Sequence, residues 1–130
     1  MAELQFPDDV KYAESDEWVR IEGDTAVIGI SDYAQDALND IVYVEFPDVG
    51  DTFEEGDSFG SVESVKAASD VYTHVAGEVV AVNEDLEDEP ELINTDPFGK
   101  GWLVKIKLDG EADLSDLMDA TAYKAYCEDR

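Results

Sequence analysis

The chain has 130 residues, 44 % of them hydrophobic and 10 % aromatic, with 34 Asp and Glu against eight Lys and Arg, a formal net charge of −26. That length and apolar content predict one folded domain over residues 1–130. The charge excludes nucleic acid and anionic membrane surfaces as general partners, because both need clustered Lys and Arg.

The acids run from Glu3 to Asp129 without forming a tail. They read as a solvated surface, and self-repulsion at this density points to the high-salt cytoplasm of a halophile; an acidic docking face for basic partners is compatible with the same pattern. Residues 1–10 are polar with Pro7 and read as a lead-in strand or loose arm. Over 17–22, Trp18, Arg20 and Glu22 alternate with Val19 and Ile21, the period of a half-buried strand. Gly23-Asp24 turns the chain into a second run over 25–30, which completes a hairpin. Ser31-Asp32 is a helix N-cap signal for a short helix over 33–38, closed by Asn39.

Residues 41–46 read as a strand stopped by Pro47. Val49-Gly50-Asp51 and Glu55-Gly56-Asp57 are turn signals bracketing Thr52-Phe53, and Ala76-Gly77-Glu78 is another, ahead of a strand over 79–82. The acidic stretch 83–92 is predicted to be a short helix ending near Pro90. It lacks the alternating ligands and central glycine of a calcium loop, so no metal is assigned. Residues 96–101 read as a loop and 102–108 as a strand. Residues 115–128 are predicted to form one or two amphipathic helices that bury Leu114, Leu117, Met118, Ala122 and Tyr126, the last helix packing across the β core. Short strands punctuated by regular turns predict a mainly β sandwich or barrel.

Two apolar-rich segments, 59–65 and 71–82, flank a centre of small and polar residues. That centre reads as a hairpin tip with Lys66 standing on it. A lone amine on a stiff turn between Glu63 and Asp70, in a chain so poor in lysine, suits an enzyme that must find one amine and acylate it; the plain alternative is an ordinary exposed lysine. Cys127 is alone, so it makes no internal disulfide and no zinc site, and it reads as packing. His74, the one histidine, falls in Tyr72-Thr73-His74-Val75-Ala76 and is assigned a structural place within a strand. No phosphate-cradling glycine loop occurs. The chain offers no catalytic set of its own. Glu3, Asp8 and Asp9 stand where a signal peptide needs positive charge, and no apolar stretch is long enough for a membrane span, so a cytoplasmic protein is expected.

Glu63-Ser64-Val65-Lys66-Ala67 followed by Ser69-Asp70-Val71-Tyr72 resembles the lipoyl-lysine site of the H-protein family of the glycine cleavage system. The resemblance extends over nearly the whole chain. Asp16-Glu17-Trp18-Val19-Arg20 is similar to a family segment that has histidine where Asp16 stands. Gly29-Ile30-Ser31-Asp32-Tyr33-Ala34-Gln35, then Leu38 and Asp40-Ile41-Val42-Tyr43-Val44, match the next block, with Asn39 where glycine is usual. Gly77-Glu78-Val79-Val80, Pro90-Glu91-Leu92-Ile93-Asn94 and Gly101-Trp102-Leu103 follow in the family's order and spacing.

The resemblance implies a barrel-sandwich hybrid related to lipoyl and biotinyl domains, with short helices and a C-terminal helix. It implies lipoic acid joined by an amide to Lys66, and Glu17 and Asp70 at positions that lie near the docked arm and can pair with its cationic amine. It further implies a non-catalytic carrier of the aminomethyl group of glycine. The partners implied are a pyridoxal-phosphate glycine decarboxylase, a tetrahydrofolate-dependent aminomethyltransferase, a flavin (FAD) dihydrolipoyl dehydrogenase and a lipoate-attaching enzyme. The alternatives are an H-like protein relaying lipoyl groups to other complexes and a non-lipoylated acidic scaffold module. A lipoyl domain of a 2-oxo-acid dehydrogenase usually carries Asp-Lys-Ala and a biotin carrier Met-Lys-Met, whereas this turn reads Val65-Lys66-Ala67.

Overall fold

The computed structural model describes residues 4–110 and 114–129; residues 1–3 of the expected lead-in arm lie outside them. In chain order the elements are β1 (Lys11–Tyr12), β2 (Glu17–Glu22), β3 (Thr25–Ile30), α1 (Asp32–Leu38), β4 (Ile41–Glu45), β5 (Thr52–Phe53), β6 (Ser58–Ser64), β7 (Ala68–Tyr72), β8 (Gly77–Val82), α2 (Asp85–Asp88), α3 (Leu92–Thr95), β9 (Val104–Leu108) and α4 (Ala120–Glu128). Two sheets result, one ordered β1-β2-β3-β9-β8-β5 and one ordered β4-β6-β7. Every pairing is antiparallel. The mainly β fold with short helices and a C-terminal helix is the one expected. Among the described residues no helix is long and apolar enough to cross a membrane.

β3 sits between β2 and β9, and its residues from Ala26 to Ile30 are all buried. Successive side chains on a strand point to opposite faces, and the two faces meet different cores. Ala26, Ile28 and Ile30 join the main core with Val44, Val62, Val71, Val79 and Ile106, while Val27 joins a second cluster with Tyr12, Trp18, Tyr123 and Cys127. Trp18 is wholly buried and Gly29 makes room for it, since a Cβ on Gly29 would lie 2.7 Å from the indole. The indole N–H donates to the Pro97 carbonyl at 3.0 Å, and Arg20 donates to the Phe98 carbonyl at 3.0 Å. These bonds clamp the 96–101 loop onto β2.

Several expectations on local structure change. The acidic stretch 83–92 forms two short helices, α2 and α3, instead of one. Pro90 has no N–H to continue a helix and biases the preceding residue away from helical backbone; Glu89 accordingly sits at φ −131°, ψ 62°. The strand expected over 102–108 starts at Val104, although the Leu103 N–H still donates to the Ile28 carbonyl at 2.8 Å. His74 lies outside any strand, between the end of β7 and the start of β8. There Thr73 Oγ1 donates to the Val75 carbonyl and accepts its N–H, closing a local turn that competes with the ladder.

The C-terminal helix is one element beginning at Ala120, because Asp119 caps it by accepting the Ala122 N–H at 2.8 Å. Ala122 is exposed and Tyr126 half-buried; Tyr123 and Cys127, four apart, are the residues it buries. Before the helix, Tyr12 and Met118 exchange backbone bonds of 2.8 and 2.7 Å. The rings of Tyr12 and Tyr123 stack with centroids 4.4 Å apart. Cys127 is free and buried, the packing role expected of it.

Candidate functional site

β6 and β7 pair from Ser58↔Tyr72 to Glu63↔Ala68, leaving Ser64-Val65-Lys66-Ala67 as the connection. Ser64 builds this turn. Its backbone N–H donates to the Ala67 carbonyl at 2.8 Å. Its Oγ accepts the N–H groups of Lys66 at 3.1 Å and Ala67 at 3.0 Å, and donates to the Ala67 carbonyl at 3.0 Å. A serine that bonds the backbone two and three residues on replaces ladder bonds lost at the tip. Outside the hairpin, the Val65 N–H donates to the Asp40 carbonyl at 3.1 Å, tying the tip to the residue before β4.

Lys66 is exposed at the apex of this mount, and its Nζ donates to the Ala37 carbonyl at 3.2 Å. Ala37 is in the last turn of α1, where carbonyls lack helical partners and the helix end favours a cation. α1 itself is set by Ser31, which accepts the Ala34 N–H at 3.1 Å, and by Asn39 at φ +67°, a left-handed backbone that accounts for glycine being usual there. The amine is held by a single solvent-facing contact, which an approaching enzyme can displace. It therefore fits acylation.

Replacing Ser64 with alanine removes all three side-chain bonds of the turn while leaving Lys66 in place. The expected loss is about 1 kcal/mol of stability. Enzymatic acylation of the Lys66 amine should slow several-fold, read by timed mass spectrometry; an unchanged rate would show that the turn geometry does not guide acylation.

Glu17 does not sit as an exposed carboxylate. It is 1 % exposed at the start of β2, partnered by three residues from two places in the chain. Its Oε1 accepts the Ser15 hydroxyl and lies 2.8 Å from His74 Nε2, while its Oε2 accepts the Tyr72 N–H at 3.3 Å. Tyr72 ends the strand that begins two residues after Lys66, so Glu17 lies at the far end of β7 from the lysine. At ~3.3 Å per residue this is a span of at most roughly 20 Å along the strand.

Asp70 is exposed midway along β7, opposite Ser61. Lys66, Asp70 and Glu17 thus follow one strand in order. No hydrogen bond or ion pair among the described residues joins Glu17 or Asp70 to Lys66, or to each other. Ser15 stands two residues from Glu17, but the signal for His74 as its partner is absent from local sequence, because the two lie 57 residues apart and meet only through the fold.

Asp16 takes a left-handed backbone, φ +78°, which aspartate tolerates better than most residues. Its carboxylate accepts the Tyr123 hydroxyl at 2.8 Å, and Tyr123 Oη lies 2.6 Å from Ser31 Oγ. Burial holds the Tyr123 hydroxyl well above the ordinary phenol range, with the Asp16 charge adding to the effect. Tyr123 therefore stays protonated and donates to Asp16, and the Ser31 hydroxyl donates to Tyr123 in turn. The position where the family has histidine is engaged in fixing α4 against the N-terminal hairpin.

Three comparisons bear on this geometry. The family model described as "Glycine cleavage H-protein" matches residues 10–130. A glycine cleavage system H protein of Bacteroides fragilis is 53 % identical over 122 residues, covering 94 % of this chain and 97 % of that one. A probable glycine cleavage system H protein of Haloarcula marismortui is 52 % identical over 125 residues, covering 96 % and 98 %. Near-equal identity to both sources gives no support to a halophilic origin. Among solved structures, a glycine cleavage system H protein from Mycobacterium marinum superposes with a TM-score of 0.84 at 36 % identity, covering 92 % of this chain and 97 % of that one.

Proposed function

The chain belongs to the glycine cleavage H-protein family, and from that membership we propose that it is the lipoyl-bearing shuttle of the glycine cleavage system, with the lipoyl group on Lys66. The observation that carries this reading is the exposed Lys66 amine on a turn braced by Ser64, at one end of a strand whose other end meets a buried carboxylate. The protein is a carrier and performs no catalysis of its own. When attached, the lipoyl group supplies a dithiolane that accepts the aminomethyl group of glycine and afterwards carries two reducing equivalents.

This chain's residues do the rest. The hairpin keeps the attachment point fixed while the arm sweeps, and tethering raises the arm's concentration at a docked enzyme to the order of millimolar. Exposed Asp70 lies along β7 between Lys66 and the buried Glu17, and the two carboxylates offer negative charge to the cationic amine of a loaded arm. A site on the carrier itself keeps the loaded arm from water between enzymes. The partners on this reading are the pyridoxal-phosphate glycine decarboxylase, the aminomethyltransferase, dihydrolipoyl dehydrogenase and a lipoate-attaching enzyme, in the cytoplasm. The lipoylated protein should support exchange of the glycine carboxyl group with bicarbonate by the decarboxylase. Failure to do so, with Lys66 fully modified, would move the assignment to a lipoyl relay for other complexes.

The surface charge carries a further proposal, that stability is tuned to salt. Eight Lys and Arg cannot neutralise 34 acids, so pairs such as Arg20–Glu22 at 3.1 Å leave most of the repulsion in place. The screening length falls from about 10 Å at 0.1 M salt to about 3 Å at 1 M. The midpoint Tm should rise by ~10 °C or more between 0.1 and 2 M KCl. A Tm independent of salt would show that the acids are spaced widely enough to be harmless in dilute buffer.

A further inference from the structure

We propose that His74 is a positioning residue that holds the Glu17 carboxylate while the arm is away and yields it to the cationic amine when the loaded arm docks. This rests on Glu17 being the docking carboxylate. Among the described residues Glu17 is the one buried acid, in a chain of 34 Asp and Glu, and the single histidine of the sequence is placed against it. A solvated surface acid needs no partner; a buried carboxylate without one is strongly unfavourable. Any site that is to receive a cation on a buried carboxylate therefore needs something to satisfy the carboxylate beforehand.

The three present partners differ in how readily they leave. The Tyr72 N–H belongs to β7 and cannot depart without breaking the strand. Ser15 can rotate its hydroxyl but remains beside Oε1. His74 stands on the 73–76 turn, with its side chain 22 % exposed against 2 % for that of Glu17. It is the solvent-side partner of the three, and swinging out would cost it, besides the Glu17 bond, a 3.3 Å contact of Nε2 with Ser15 Oγ. With the carboxylate as acceptor, Nε2 carries the hydrogen, so the departing ring takes a single donor with it. An ammonium with its own N–H donors replaces that bond at Oε1. No proton need be transferred in the exchange.

Because the chain has one histidine, the ring signals of isotopically labelled histidine report His74 alone. The first experiment records them in the lipoylated protein before and after loading with glycine and the decarboxylase. In the wild type the signals should move on loading; in Glu17→Gln they should stay. The second experiment isolates the loaded protein and measures ammonia release without aminomethyltransferase. His74→Lys, which puts a lasting cation on Glu17, should release roughly tenfold faster than wild type, with circular dichroism checking the fold.

Unmoved ring signals in the wild type, or a His74→Lys release rate equal to wild type, overturn the role of His74 while Glu17→Gln still releases faster. A Glu17→Gln release rate equal to wild type overturns the docking role of Glu17 and this inference with it.

Discussion

Lys66→Arg should abolish lipoylation and reduce glycine–bicarbonate exchange to background, with Tm within about 2 °C of wild type. Arginine keeps the positive charge and the length of the side chain. Its guanidinium stays protonated at any working pH and offers no amine for an acyl group. The structural cost is small because Lys66 is exposed and contributes one solvent-facing bond, to the Ala37 carbonyl; surface changes of this kind fall within about ±0.5 kcal/mol. Intact mass after co-expression with a lipoate-attaching enzyme, paired with a thermal melt, checks both halves. Exchange activity in an arginine variant that melts like wild type would remove Lys66 from the account.

Gly60→Ala should act through the fold instead, with Lys66 itself left in place. Gly60 pairs with Val71 in the lysine hairpin, next to the register shift between Ser58 and Gly60. A Cβ there would stand 2.2 Å from the Glu45 backbone carbonyl oxygen of β4. A side chain in that place could rotate away, but a ladder carbonyl cannot, so β4 and β6 must separate by an ångström or more. The expected loss is about 3 kcal/mol or more, a fall in Tm of ~10 °C. Lipoylation should slow in parallel, since β6 is one leg of the turn that presents Lys66. A Tm within 2 °C of wild type would mean the sheet yields without loss, and that the three-stranded sheet is not the rigid mount described here.

The hairpin of β2 and β3, the cap at Ser31 and the lysine-bearing turn were legible because each is a local pattern: a period of two, a cap before a helix, small residues between apolar runs. The split of 83–92 at Pro90 was within reach of the same rules. The start of α4 at Ala120 was marked by Asp119, but apolar spacing that extended back to Leu114 hid it.

Other features lay beyond local pattern. Gly60 is required by a carbonyl fifteen residues earlier, and Gly29 by the indole of Trp18 on the neighbouring strand. The partnering of Glu17 by Ser15, Tyr72 and His74 is a product of tertiary assembly, so a residue that reads as one acid among many becomes a buried acceptor. His74 read as a strand residue because the sequence around it is rich in β formers; Thr73 closes a side-chain turn that interrupts the run. Asp16, in place of histidine, found its meaning only when Tyr123, 107 residues away, was seen to bond it.

The shuttle reading stands or falls on Lys66 bearing the lipoyl arm. The most direct measurement is the intact mass of the protein purified from its native cells, followed by mapping of the peptide that contains Lys66. The expected result is a mass increment of one lipoyl group, located on Lys66. An unmodified Lys66, in cells whose other lipoyl proteins are modified, would contradict it and leave an acidic scaffold module as the reading to pursue.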